Sequence, residues 1–387
     1  TTYMSSEELT AFETSINKGF VGIGVQYIDC DGTFIVTKIF NDSPAENAGV
    51  MAGDIITNVE GVSVEGMSSD DVVAIIQGEE GTPVVIGFTR GTELIDIEII
   101  RGTVDSNTYG YMVDEDSAYV EILSFGDTTG SELEKLMINF KEQGADSLII
   151  DLRDNGGGYL TSLVEVASLF LDKDEVAMIE EYSDGSSEIY MTTGGKIEGY
   201  DEIVIIVNGS SASASEVLTL ALMEKLDNVT VVGSTTYGKG TVQTTQFFAD
   251  GSAIKFTAGI WTSPNGVWID GVGITPDIEV DIPTILSLWI PALTEGLVIQ
   301  LDEVASGVLV AQEALDFLGY EITRKDGYFD ETTMAALQAF ADDIGYELVD
   351  GIDETIYNAM ISETQKQWAT DSSLDPQLQK AIEVIND

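Results

Sequence analysis

Two short segments carry the residues best suited to chemistry. Residues 208–216 read NGSSASASE, and Lys239 lies in the glycine-flanked run TTYGKGTVQ. Serine is a weak nucleophile without a base, and the sequence contains no histidine. The base must therefore be a desolvated lysine or a carboxylate. A lysine packed against apolar groups has a lowered pKa, and its neutral amine can accept the proton of a serine.

The missing histidine also excludes several kinds of site. A Ser-His-Asp triad, a Cys-His pair and any histidine-ligated metal site cannot be built. The single cysteine, Cys30, can form neither an intrachain disulfide nor a thiolate zinc cage, and its alternating apolar and polar neighbours predict a half-buried strand. We therefore expect chemistry that needs no metal and no cofactor.

The charge balance limits the classes of molecule that the protein can bind. The 387 residues include 68 Asp plus Glu and 16 Lys plus Arg, a net charge of −52. Such a chain repels phosphate backbones and anionic lipids, so nucleic acid is excluded as a partner. The acidic residues are spread along the chain, which indicates a hydrated acidic surface. No apolar stretch is long enough for a membrane helix, and the first residues lack the pattern of a signal peptide.

The elements that must position the two segments form an α/β layer. Between about residues 109 and 280, apolar runs such as SLIIDLR and EIVIIVNG alternate with helical patterns, which predicts a mostly parallel sheet. Sites in such sheets gather where strands end. The loops 153–158 and 209–215 fit that position. The first offers glycine backbone, and the second leads into a helix whose free N–H groups could stabilise an oxyanion.

Taken in order, the motifs DLRDNGGGYL, NGSSASASEVLTLAL, TTYGKGTVQTTQ and GVGITPDIEV resemble the carboxyl-terminal processing peptidases, or tail-specific proteases, of family S41. These are serine peptidases with a Ser-Lys dyad. The resemblance implies that Ser213 is the nucleophile and Lys239 the base, with Ser210, Ser211 and Ser215 as competing nucleophiles. Gln243 follows the lysine by four residues and would orient its amine.

The same resemblance implies an oxyanion hole made by the backbone N–H groups of Ala214 and Gly157. Gly156 stands where relatives commonly have proline, so the register at Gly157 can differ by one residue. In this family a movement of the peptide-binding module controls activity. We therefore hypothesise a resting form in which Lys239 is out of reach.

Residues 20–101 predict a compact α+β module of short strands with a helix at SSDDVVAIIQG. GFVGIGVQYI followed by NDSPAENAGV closely resembles a PDZ domain, which binds the C-terminal tails of proteins. The resemblance implies a carboxylate cradle and a helix that walls the peptide groove. The cradle would be Gly22, Ile23, Gly24 and Val25, and the helix would contribute Val72, Val73 and Ile76.

After Pro283 the sequence becomes helical, with two similar halves. It resembles a small peptidoglycan-binding module, which implies an extracytoplasmic enzyme in the cell envelope or secreted. The alternative is a helical module that packs on the peptidase or on a neighbouring subunit and binds no glycan. The alternative is favoured by apolar residues at helical spacing, which indicate the core of a helical module rather than a binding surface: Leu315, Phe317, Leu318, Leu337 and Phe340.

The sequence thus predicts an α/β peptidase core with a crotonase-like βαβ sheet, an α+β PDZ domain and a small all-α C-terminal domain. The predicted boundaries are 1–18 for an N-terminal helical remnant, 19–103 for the PDZ domain, 104–282 for the peptidase core and 283–387 for the helical module. The expected substrates are proteins or peptides with apolar C-terminal tails. Whether the protein forms a homo-oligomer is left open by the sequence.

Two other functions stay open. One is a catalytically inactive PDZ scaffold that binds C-terminal peptides without cutting them. The other is an acyl-CoA enzyme of the crotonase type, for which a chain so poor in lysine and arginine offers little to hold the coenzyme phosphates.

Overall fold

The computed structural model describes residues 1–17, 19–294 and 296–386. The chain opens with strand β1 (Thr2–Met4) and helix α1 (Ser6–Asn17). Strand β1 pairs with a strand of the peptidase core, with Tyr3 opposite Ile254. The segment predicted as a helical remnant is therefore part of the core, because its first residues extend one of the core's sheets.

The next unit has the predicted α+β composition. Its elements are β2 (Phe20–Gly22), β3 (Val25–Cys30), β4 (Thr33–Ile39), α2 (Pro44–Ala48), β5 (Ile55–Val59), β6 (Val62–Ser63), α3 (Ser69–Ile76), β7 (Pro83–Arg90), β8 (Glu93–Ile100) and β9 (Gly102–Val104). The main sheet has the order β3-β4-β5-β7-β8, which leaves β3 at an edge. Helix α3 begins with a capping box between Ser68 and Asp71 and buries Val72 and Ile76.

The peptidase core follows. Its elements are β10 (Thr108–Met112), β11 (Ser117–Ile122), α4 (Thr129–Gln143), β12 (Ser147–Asp151), α5 (Leu160–Ser168), β13 (Val176–Tyr182), β14 (Ser187–Met191), β15 (Glu202–Val207), α6 (Ala214–Lys225), β16 (Val229–Gly233), β17 (Thr241–Phe247), β18 (Ala253–Thr262) and β19 (Ile278–Glu279). One sheet has the order β10-β11-β12-β15-β16-β19 and is parallel except at β10.

A second sheet of the core is antiparallel. Strand β18 lies between β1 and β13, β14 pairs with β13, and β17 also pairs with β18. Strand β12 of the first sheet is buried over its whole length, as expected for a strand covered on both faces. The predicted fold class is confirmed.

The C-terminal part contains α7 (Ser306–Phe317), α8 (Glu331–Ile344), α9 (Glu354–Thr370) and α10 (Pro376–Ile385), with short 3₁₀ turns at Thr284–Leu286 and Ser372–Leu374. Helices α7, α8 and α9 enclose a core that includes Leu315, Leu337 and Phe340, with Phe317 and Leu318 partly buried against it. None of the described helices is long and apolar enough to cross a membrane.

Helix α10 lies elsewhere and differs from the predicted boundary of 283–387. It packs on the parallel sheet, where Leu378 and Ala381 join Ile149, Val204 and Val232 in one buried cluster. Helices α4, α5 and α6 contribute to the cluster that holds the opposite-facing residues of the same strands. Residues 376–385 therefore belong to the peptidase core, because they cover a sheet face that would otherwise be exposed.

Polar contacts hold the PDZ-like unit to the edge strand β10 and to the neighbouring elements β11 and α4. The Asn41 side chain donates to Gly110 O at 2.9 Å and accepts from Gly110 N at 3.0 Å. Lys38 pairs with Glu121, and Lys135 pairs with Asp42. On its other side, α9 packs against β3 and β4, where Cys30 is buried and burial raises the pKa of its thiol.

Candidate active site

The two glycine- and serine-rich loops meet where β12 and β15 end. The strands are parallel, with Asp151 opposite Ile206, so both loops leave the same edge of the sheet. Asn155 joins them, because its carbonyl oxygen accepts from Ala212 N at 3.0 Å and from Ser215 Oγ at 2.9 Å. The meeting of these loops was predicted from the sequence.

Ser213 stands at the N-terminal end of α6 in a strained conformation. Its φ of 57° and ψ of −115° are unusual for a residue with a side chain, and such backbone strain costs about 1–3 kcal/mol. The turn places the half-buried Ser213 side chain on the wall of a cavity of about 370 Å³. We call this cavity the Ser213 pocket. Its lining includes Phe12, Ile16, Asp154, Gly156, Gly157, Gly158, Ser213, Lys239, Gln243, Thr245, Lys255 and Trp261.

The competing serines of the loop point elsewhere. Ser211 is buried and its hydroxyl donates to Leu152 O at 2.8 Å, and the Ser215 hydroxyl is held by Asn155. Ser210 is exposed and does not line the pocket. Among the four serines of this loop, all within the described residues, only Ser213 faces the pocket.

A buried carboxylate organises the backbone around the site. Glu216 accepts from the N–H of Ser213 at 2.9 Å, of Gly238 at 2.6 Å and of Lys239 at 2.9 Å. It also accepts from the Thr236 hydroxyl at 2.6 Å. Glu216 was not among the residues predicted from the sequence, although serine followed three residues later by glutamate is the pattern of a capping box. Glu216 therefore fixes the serine loop and the lysine loop to one another.

Lys239 lies in the loop before β17. Trp261 Nε1 donates to Lys239 O at 2.7 Å, and the next residue, Gly240, donates its N–H to Asp270 at 3.0 Å. The side chain is half-buried in the Ser213 pocket. Burial lowers the pKa of the amine, the positive charge of Lys255 lowers it further, and Glu216 opposes the shift. This is the direction that a lysine base requires.

The side chains of Ser213, Lys239 and Gln243, all of which the structure describes, line one pocket but are not hydrogen-bonded to one another. In the described part of the chain, Lys239 Nζ makes no hydrogen bond with Ser213 Oγ or with Gln243. Gln243 follows an irregularity in the β17–β18 pairing and is exposed at the pocket. The predicted orientation of Lys239 by Gln243 therefore stays a prediction.

The two predicted oxyanion donors lie beside Ser213. Ala214 is the first residue of α6, where backbone N–H groups have no partner within the helix. Gly157 has a φ of 99°, and a Cβ on it would come within 2.9 Å of Ser213 Cβ and of Ala214 N. No larger residue fits there. However, Gly157 N donates to Asn155 Oδ1 at 2.8 Å, so this donor is engaged in the present arrangement.

In the PDZ-like unit, the predicted cradle residues precede and begin the edge strand β3. Gly24 has a φ of 82°, and a Cβ on it would collide with Ser43 Cβ at 2.3 Å. Gly22 ends β2, Ile23 is buried and Val25 begins β3.

The predicted groove lies between β3 and α3. Tyr27 on β3 reaches across and donates to Ser69 O at 2.9 Å. Val72 and Ile76 belong to the apolar core of the unit, whereas Val73 is exposed. Val72 and Ile76 therefore support the groove from inside the unit, and Val73 is turned away from its core.

Comparisons with known proteins agree with the resemblances drawn from the sequence. A model of peptidase family S41 matches residues 116–280, a PDZ domain model matches residues 35–90, and a model of a putative peptidoglycan binding domain matches residues 305–355.

Relatives match over most of the chain. The chain is 34% identical over 386 residues to the carboxy-terminal processing protease CtpA of Bacillus subtilis (strain 168), which covers 99% of this chain and 81% of the relative. It is also 34% identical over 339 residues to a probable CtpA-like serine protease of Staphylococcus haemolyticus (strain JCSC1435). That match covers 87% of this chain and 68% of the relative. A solved photosystem II D1 C-terminal processing protease is 28% identical with a TM-score of 0.43, covering 72% of this chain and 77% of the other.

Proposed function

Because the chain belongs to the carboxy-terminal processing proteases of peptidase family S41, we propose that Ser213 is its nucleophile and Lys239 its general base. The observation that carries this assignment is the orientation of the hydroxyls. Ser213 faces a pocket that also holds Lys239, while Ser211 and Ser215 donate to backbone carbonyls. The lowered pKa of Lys239 supports its role as the base.

The proposed reaction passes through an acyl-enzyme. The neutral amine of Lys239 takes the proton of Ser213 Oγ as that oxygen attacks the peptide carbonyl carbon. The N–H groups of Ala214 and Gly157 would hold the oxyanion, and the protonated lysine gives its proton to the leaving amine nitrogen. A water, deprotonated by the same lysine, then hydrolyses the ester. Gln243 would orient the amine during these steps.

The arrangement described here fits a resting form of this mechanism. Lys239 Nζ must approach Ser213 Oγ, and the Gly157 N–H must leave Asn155 Oδ1 before it can bind an oxyanion. We propose that binding of a substrate tail to the PDZ domain favours these changes by moving that domain from its place at β10.

Substrate recognition is proposed to begin at the PDZ domain. The backbone of 22–25 would take the terminal carboxylate, and the tail would add as a strand beside the edge strand β3. The C-terminal helical domain would bind peptidoglycan and keep the enzyme outside the cytoplasm, as its family match and its relatives support.

The first test is cleavage of an unfolded protein with an apolar C-terminal tail between pH 6 and pH 10. Wild-type activity should rise with pH, because the protonated amine of Lys239 cannot accept a proton, and should level off below the pKa of an ordinary lysine. Ser213→Ala and Lys239→Met should each lower kcat by at least about a thousandfold. Lys173→Met, which changes a lysine outside the pocket, is the matched control.

Two results would reject the assignment. Retained activity of Ser213→Ala would require another nucleophile. Tail binding by the wild type and by both variants, with cleavage by none of them, would favour the inactive scaffold instead.

A further inference from the structure

A second lysine, Lys255, lines the Ser213 pocket. It lies on β18 opposite Thr245 of β17, and Thr245 lines the pocket too. Its Nζ sits 4.0 Å from the centroid of the Phe12 ring, which α1 supplies. An ammonium over an aromatic face is held in place without being neutralised. The resemblance to S41 peptidases assigns no role to this residue.

Lys255 is unusual among the basic residues of the molecule. Most of the lysines and arginines that the structure describes pair with carboxylates or donate to carbonyl oxygens. Lys173, Lys239 and Lys255 do neither within the described residues. Lys173 is exposed to solvent, whereas Lys239 and Lys255 are half-buried in the Ser213 pocket. In a chain with a net charge of −52, a half-buried lysine without a carboxylate partner is a feature that needs a reason.

The charge of the pocket is opposite to that of the whole molecule. Among the residues that the structure describes, the charged ones in its lining are Lys239, Lys255 and Asp154. The Asp154 carboxylate already accepts from Asn208 Nδ2 at 3.1 Å. When Lys239 acts as a neutral base, Lys255 is the cation left in the pocket to face a substrate.

We propose that Lys255 binds a carboxylate of the substrate polypeptide close to the scissile bond, so that the enzyme prefers an acidic group at that subsite. The carboxylate comes either from an aspartate or glutamate side chain or from the chain terminus. An ammonium that is partly removed from water and has no carboxylate partner among the described residues gains more from such a contact than an exposed lysine does. This inference rests on the proposed peptidase function.

The test uses matched peptides that the wild type cleaves. Glutamate or glutamine is placed in turn at each position flanking the cleaved bond, and each peptide is made with a free or an amidated C-terminus. At one position the acidic peptide should have a kcat/KM about tenfold higher, mainly through KM, because a hydrogen bond between two charged groups is stronger than one between neutral groups. The preference should weaken as salt rises.

Variants of the lysine sharpen the test. Lys255→Met should bring the ratio of kcat/KM between the acidic and the neutral peptide close to one. Lys255→Glu should prefer a peptide with lysine at the same position, a reversal that a folding defect cannot produce. Lys173→Met should keep the wild-type ratio. A loss of kcat/KM on amidation that is present in the wild type and absent in Lys255→Met would identify the terminal carboxylate as the group bound, because amidation weakens binding to the PDZ domain equally in both enzymes. A loss on Glu-to-Gln exchange would identify a side chain.

Two outcomes overturn the inference and leave the peptidase standing. One is equal cleavage of acidic and neutral peptides by the wild type at every position and with both termini. The other is a Lys255→Met variant whose pH profile moves equally for all peptides while the ratio stays as in wild type, because Lys255 would then act only through Lys239. Failure of the wild type to cleave any peptide would instead count against the proposed function itself.

Discussion

The PDZ domain and helix α10 are attached to the same parallel sheet in contrasting ways. The PDZ domain meets the edge strand β10 through polar groups, chiefly the Asn41 side chain on the backbone of Gly110. Helix α10 covers a face of the sheet with Leu378 and Ala381. Its start is fixed by Arg153, which pairs with Asp151 at 2.6 Å and with Asp375 at 2.7 Å.

This difference indicates which attachment can open. Polar groups at a sheet edge exchange their protein partners for water at a small net cost in free energy. A buried apolar face has no such exchange, and separating it from its cover costs about 25 cal/mol per Å² of exposed surface. The polar attachment at β10 can therefore open while the peptidase sheet stays folded, as the proposed activation requires, and the PDZ domain keeps its packing against α9. The attachment of helix α10 cannot open in this way.

The largest effect is expected from breaking the fixed attachment. Arg153→Met leaves Asp151 and Asp375 without their cation in a buried site, which should lower the free energy of unfolding by about 3–5 kcal/mol. Chemical denaturation of the full chain measures this loss. Arg324→Met, which removes the exposed pair with Asp326, is the matched control and should leave the free energy of unfolding nearly unchanged. A similar, small loss in both variants would contradict the contrast.

An intermediate effect is expected at the movable attachment. Asn41→Ala removes both hydrogen bonds to Gly110, worth about 1 kcal/mol each. Amide exchange in β10 should become several-fold faster, and peptide cleavage in the absence of a tail should rise if displacement of the PDZ domain activates the enzyme. Asn139→Ala, on the exposed face of α4, is the control. Faster exchange without any gain in activity would separate opening from activation and reject the gating proposal.

The smallest effect is expected from the exposed ion pair between Lys135 and Asp42. Their side chains are 69% and 68% exposed, so solvent screens the pair. A double-mutant cycle with Lys135→Met and Asp42→Asn should give a coupling energy below about 0.5 kcal/mol, and 0.5 M salt should abolish it. A coupling energy above about 1 kcal/mol would mean that this ion pair contributes substantially to holding the PDZ domain on the peptidase core, contrary to the expectation.

The sequence predicts the fold and the placement of Ser213 and Lys239 well, for a physical reason. Strands buried on both faces need continuous apolar runs, as in SLIID and EIVIIV, and the loops that follow such runs must meet at one edge. Gly157 and Gly158 also follow from the structure, since a Cβ on Gly157 would strike Ser213 and a Cβ on Gly158 would strike Phe125. Local sequence therefore carries these features.

Features that depend on distant partners were out of reach. The amphipathic pattern of α10 reads the same whether the helix covers other helices or a sheet, so its place in the core could not be predicted. The role of Glu216 at Lys239 joins residues far apart in the chain. Lys255 and Phe12 meet only because β1 brings the N-terminal segment beside β18. The hydrophobic periodicity of a sequence does not indicate contacts between residues so far apart in the chain.

The helical domain formed by α7, α8 and α9 is connected to the peptidase at both ends. Ile285 packs in the core of this domain, so the short segment 280–283 links the domain to β19 of the parallel sheet. Residues 371–375 link it to α10, which packs on the same sheet. A domain with a single flexible linker lets an enzyme search a volume around its anchor. Two short connections remove that freedom. A surface bound through this domain would hold the Ser213 pocket at a set orientation, so that reach and angle, rather than local concentration alone, would select the chains that can be cut.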